Sequence, residues 1–133
     1  MARNYFQAGL ECSIGIQGDP VKATNLTTHK ELACTLVRAE NPFARIKGLL
    51  GRSSLPSGEA LLLKPCNGIH TFGMRFAIDV IFLDRDNHVV AVSKNLRPNH
   101  LTRLYFRASS VIELPAGTLE ATGTRLDDEI EIA

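Results

Sequence analysis

One stretch of the chain, residues 65–84 (PCNGIHTFGMRFAIDVIFLD), sets reactive side-chain types into an otherwise apolar run: Cys66, His70, Thr71, Met74, Arg75 and Asp79. Asp79 is the most informative of them. Strand alternation puts it on the same face as Ala77 and Ile81. An unpartnered charge on such a face costs on the order of several kcal/mol, so the carboxylate must be paired, hydrogen-bonded or protonated. A structural role has it accept backbone N–H groups, or pair with Arg75 or an arginine of residues 97–107. A functional role makes it a carboxylate of shifted pKa at the floor of a cleft, used as a base or a ligand anchor.

His70 reads either as a satisfied structural histidine or as a proton carrier working with Asp79. Thr71 and Ser93 supply hydroxyls nearby, but no G-x-S-x-G motif and no triad order accompany them. Cys66, His70 and Met74 recur every fourth residue, and thiolate, imidazole and thioether are soft ligands suited to Cu(I). Gly68 and Gly73 interrupt that run, and a core cysteine and methionine flanking a histidine is the plainer reading. Further on, Lys94, Arg97, Arg103 and Arg107 lie in one connection with Tyr105 and Phe106 between them. That pattern is a solvated loop, or a cationic rim for a carboxylate, a phosphate or a protein partner.

These residues need elements to hold them. Residues 32–37 alternate as a strand, with Leu32, Cys34 and Leu36 on one face. Asn41-Pro42 starts a short helix over 42–50, with Phe43, Ile46, Leu49 and Leu50 at helical spacing and Gly51 as its stop. Residues 60–63 form a strand apolar on both faces, hence central. Residues 69–73 and 76–84 read as two strands, or as one with a bulge at Gly73. A turn over 84–87 leads to a returning strand at 88–92, and a long irregular connection fills 93–108. A strand over 110–114, a helical turn at 117–122 closed by Gly123, and a last strand at 129–132 complete the chain. About seven short strands and one or two short helices predict a mainly β, single-domain, jelly-roll-like sandwich or barrel.

The chain has 133 residues, 44% hydrophobic and 22% charged, with net charge +1, which suits one globular domain with a real core. Lys and Arg are spread along it, so no basic stripe marks a nucleic-acid binder. No apolar run approaches the ~20 residues of a membrane span. Three widely spaced cysteines, Cys12, Cys34 and Cys66, read as free thiols of a reducing compartment rather than a disulfide framework. Residues 1–20 are polar and interrupted, carry no signal-peptide core and end in Gly18-Asp19-Pro20. They are expected to be an extension, disordered or non-native, before a single β-rich domain at 21–133. Val21 is a candidate natural start, and the cytoplasm is the default compartment.

The segments Arg45-Ile46-Lys47-Gly48-Leu49-Leu50, Met74 to Leu83, Leu114-Pro115-Ala116-Gly117 and the acidic pair Asp127-Asp128 give a specific pattern over about residues 25–132. The chain resembles the family known as domain of unknown function 192. Its Ile69-His70-Thr71-Phe72-Gly73-Met74-Arg75-Phe76-Ala77-Ile78-Asp79 segment is similar to the His-Thr branch of that family. The resemblance implies a jelly-roll-like β-sandwich and no established reaction. Many relatives carry an export signal that is absent here. The family's usual glycine in the last turn is Asp127 or Asp128 in this chain.

Together these observations point to a non-catalytic module that binds a small or polymeric ligand, or a protein partner, near residues 68–79. His70, Thr71, Arg75, Asp79 and Arg97 are the candidate ligand-binding residues, with Phe72 and Phe76 as apolar contacts. The alternative is a hydrolase-like enzyme with His70 and Asp79 as an acid–base pair. The third reading is copper binding by Cys66, His70 and Met74. No cofactor, nucleic acid or membrane span is expected.

Overall fold

A computed structural model describes residues 21–39 and 49–133. Eight strands and one helix lie among them: β1 (Ala23–Asn25), β2 (Lys30–Ala33), β3 (Thr35–Ala39), β4 (Glu59–Leu63), β5 (Ile78–Leu83), β6 (Val89–Leu96), β7 (Ser110–Pro115), α1 (Thr118–Thr122) and β8 (Ile130–Ile132). They form two sheets, ordered β2-β1-β8 and β3-β4-β7-β5-β6, and no closed barrel. β3 pairs parallel with β4 and every other pairing is antiparallel. The mainly β sandwich expected from the pattern is the architecture found.

The larger sheet is apolar on both faces because two different things cover it. Leu36, Leu62, Ile81, Leu83, Ile112 and Leu114 pack on Ala23, Leu32 and Ile130 of the smaller sheet. On the outer face Leu63, Ile78, Val80, Phe82 and Val111 are covered by Leu49, Leu55, Ile69 and Met74 from the connecting segments. β5 is therefore buried along its whole length. Each of its large side chains contributes roughly 1.5–3 kcal/mol by leaving water.

Several local expectations change. The strand over 32–37 is two strands, β2 and β3, with the chain bending at Cys34, where the Cys34 and Thr35 amides both donate to the Gly58 carbonyl. Residues 69–73 are not a strand and make a single bridge, His70 with Leu101. Residues 93–96 extend β6 and shorten the irregular connection. Residues 42–48 of the expected helix lie outside the described residues, and Leu49 and Leu50 sit in a turn. The short β1 was not anticipated. It is held by Asn25, whose Nδ2 donates to Thr124 Oγ1 and Asp128 Oδ2, both at 2.9 Å. The left-handed turn position is Asp127, at φ 72°. Cys34 is disulfide-bonded, which corrects the expectation of three free thiols. Cys66 carries no disulfide, and its Sγ lies 3.1 Å from the Gly68 carbonyl oxygen.

Candidate functional site

Asp79 faces the interior between the sheets and is 1% exposed. Its Oδ1 accepts the Asn95 amide at 2.8 Å. Its Oδ2 accepts the Gly117 amide at 3.1 Å and the Leu119 amide at 2.8 Å. These donors come from two places. Asn95 lies where two residues of β6 oppose the single residue Asp79, a bulge with Asn95 at φ 52°. Gly117 is the left-handed N-cap of α1 at φ 96°, and its own residue type offers no capping side chain. Asp79 replaces that cap from across the fold and satisfies the first-turn amide of Leu119. Its structural role is the backbone-accepting one rather than a pairing with arginine. The acid–base reading needs this carboxylate open to a water-filled pocket, and three backbone donors close it instead.

Thr71 is buried and tied in both directions. Its hydroxyl donates to the Arg97 carbonyl at 2.6 Å and accepts the His100 amide at 2.9 Å. Its amide donates to the His100 carbonyl, and its own carbonyl accepts the Asn99 amide. Thr102 mirrors it: the Ile69 amide donates to Thr102 Oγ1, and the Thr102 amide donates to the Ile69 carbonyl, both at 2.9 Å. The Tyr105 amide reaches the Asn67 carbonyl, and the Gly73 amide reaches Asn99 Oδ1. Residues 66–74 and 97–109 thus run side by side as one irregular ribbon. Gly68 eases the approach, because a Cβ there would stand 3.3 Å from the Arg103 carbonyl oxygen and would displace the Leu104 side chain. Tyr105 anchors the ribbon by tilting onto Phe82, with ring centroids 4.6 Å apart.

The ribbon turns a large apolar surface outward. Phe72, Leu101, Leu104 and Phe106 are 50%, 71%, 62% and 89% exposed. Arg75, Lys94, Arg97, Arg103 and Arg107 are also exposed, and none of them makes an ion pair among the described residues. His70 belongs to this surface rather than to Asp79. Its ring stacks on Phe72 at 5.3 Å, and its Nδ1 accepts the Phe72 amide, which leaves the proton of the neutral ring on Nε2. The three soft-ligand candidates have separate engagements: Cys66 on the Gly68 carbonyl, His70 on Phe72, and Met74 buried in the outer-face core. Among the described residues, no group of three or more His, Cys, Asp or Glu side chains is arranged to hold a metal.

The sequence reading missed Glu113. Register places Val37, Leu61, Glu113, Val80 and Ser93 in one row across the larger sheet. Glu113 is in the middle of that row, on the outer face, 4% exposed, and its Oε1 has no hydrogen-bond partner. Burial pushes its carboxyl up from an ordinary 4.5 to about 7. The available signal was a single acid inside the apolar run Ser110-Val111-Ile112-Glu113-Leu114.

No helix among the described residues is long and apolar enough to cross a membrane. The family model DUF192, described as "Uncharacterized ACR", matches residues 24–132. The UPF0127 protein PF1050 of Pyrococcus furiosus is 30% identical over 112 residues, covering 80% of this chain and 94% of that protein. A crystal structure of a protein of unknown function from Novosphingobium aromaticivorans superposes with a TM-score of 0.74 at 21% identity, covering 90% of this chain and 88% of the other. A protein from Sinorhizobium meliloti 1021, provisionally described as a transcription regulator, superposes with a TM-score of 0.70 at 20% identity, covering 84% and 91%. At those identities the two structures speak for the fold alone.

Proposed function

Because the chain belongs to the uncharacterised DUF192 family, its own surface must name its role, and we propose that it is a non-catalytic binding module whose contact surface is the 66–74/97–109 ribbon. The observation that carries this is the exposure of four large apolar side chains on a ribbon whose backbone is already hydrogen-bonded. A segment with its polar groups satisfied has no need of further folding, so its apolar surface is available to a partner. His70, Arg75 and Arg97 stand around that surface as polar contacts. Thr71 and Asp79 support it from beneath, Thr71 by holding residues 97–100 and Asp79 by holding the bulge before them. A nucleic-acid partner fits less well, since a phosphate backbone has no use for the protruding leucines and phenylalanines at the centre of the patch.

The test is photo-crosslinking in cells. A benzophenone side chain replaces Leu104 in one variant and Val37, exposed on β3, in another. Adducts, whether protein or lipid, should concentrate at position 104 and fall when Arg103 and Arg107 become glutamine. Equal labelling at both positions, or none at 104, overturns the proposal.

A further inference from the structure

We propose that the ribbon docks on an anionic lipid bilayer surface, an inference that rests on the binding-module reading and names its partner. The first argument is charge segregation. The ribbon segments 66–74 and 97–109 carry Arg97, Arg103 and Arg107, with Arg75 one residue beyond, and not one Asp or Glu. The rest of the chain holds eleven Lys and Arg against fourteen Asp and Glu. The ribbon is therefore cationic within a near-neutral protein, and the remainder carries a small acidic excess. Near an anionic surface such a molecule turns its ribbon inward and its acidic remainder away.

The second argument is the form of the apolar surface. Tyr105 points inward onto Phe82, while its neighbours Leu104 and Phe106 project outward between Arg103 and Arg107. At 89% exposure Phe106 protrudes rather than lining a groove. A rigid protein partner would need a matching pocket for each protruding group. A bilayer interface accepts them all, taking Phe and Leu to the acyl boundary while the flanking guanidinium groups stay at the phosphate level. The anchoring of the ribbon by Thr71, Thr102 and Tyr105 means that insertion requires no rearrangement of the sandwich.

The experiment is co-sedimentation of the full chain with vesicles of phosphatidylcholine alone, and with vesicles in which about a third of the lipid is phosphatidylglycerol. Binding to the anionic vesicles should exceed binding to the neutral ones by about tenfold, and should fall by about tenfold when salt rises from ~0.1 to ~0.5 M. The exposed pair Leu104→Ser with Phe106→Ser should weaken binding about tenfold while melting stays unchanged. Arg103→Gln with Arg107→Gln should weaken it and flatten the salt dependence. Failure to sediment with anionic vesicles at low salt, or sedimentation indifferent to both double variants, overturns the lipid assignment. If the vesicles fail while the crosslinker at position 104 captures a protein in an Arg103- and Arg107-dependent way, the module reading stands and the lipid falls. If both fail, the module reading falls too.

Discussion

Replacing Glu113 with glutamine should raise stability at alkaline pH and barely change it in acid. In the unfolded chain this carboxyl ionises near 4.5; in the folded protein burial holds its proton to about 7. Between those values the folded state binds more protons than the unfolded one, so this group's stabilising contribution is complete below the lower value and is lost as pH rises through the upper one. The slope is about 1.4 kcal/mol per pH unit, and the whole loss is on the order of 3 kcal/mol. Glutamine keeps the shape and stays neutral throughout, so Glu113→Gln removes this term alone. Urea denaturation of both proteins at intervals from about pH 4 to about pH 8 provides the measurement, read as the difference between the two stabilities. Other carboxylates cancel in that difference. The curve should be within about 1 kcal/mol of zero at the acid end, climb through the interval and level off above neutrality. A difference independent of pH, or a variant less stable than the parent above neutrality, would show that the carboxyl is solvated or partnered and refute the reasoning.

Asp79→Asn should destabilise the fold by on the order of 3 kcal/mol in denaturation at neutral pH, because one amide oxygen replaces a carboxylate that accepts three backbone amides. Amide exchange at Asn95, Gly117 and Leu119 should accelerate together; faster exchange at only one of them would contradict the clamp. Thr71→Val should cost roughly 0.5–1.5 kcal/mol by taking a partner from the His100 amide and the Arg97 carbonyl, and exchange at His100 should report it. Gly117→Ala meets no atom within 4 Å, so its penalty of about 1 kcal/mol should come from the φ of 96° alone, seen as a modest fall in melting temperature.

The centre of the fold was readable because β4, β5 and β7 are short, largely apolar runs bounded by turn residues, too short for a buried helix and suited to a covered strand. The requirement on Asp79 was readable too, since its apolar neighbours demand donors. Which donors they are was not: Asn95, Gly117 and Leu119 lie 16, 38 and 40 residues away and contribute only backbone groups, which every residue type possesses. Residues 69–73 alternate like a strand, but their partner is the irregular 97–109 segment, held in part through the side chains of Thr71, Asn99 and Thr102, so a single bridge forms. Glu113 attracts no notice as an acid alternating with apolar residues, the habit of a half-exposed strand. Only the order β4-β7-β5, with a covered outer face, buries it. The cations of the ribbon were legible, because Arg97, Arg103 and Arg107 lie in one connection; that residues 66–74 run beside them was not.

The bulge opposite Asp79 also bears on how copies of the protein meet. β6 is the outermost strand of its sheet among the described residues, and a straight outer strand is a template on which another chain can zip into a fibril. Here the ladder is broken at Lys94 and Asn95, with the lysine exposed at the break and the backbone kinked into a left-handed turn. A carboxylate buried between two sheets thereby shapes the margin of one of them beyond Val89, whose amide and carbonyl are already paired with Asp128 and Asp127.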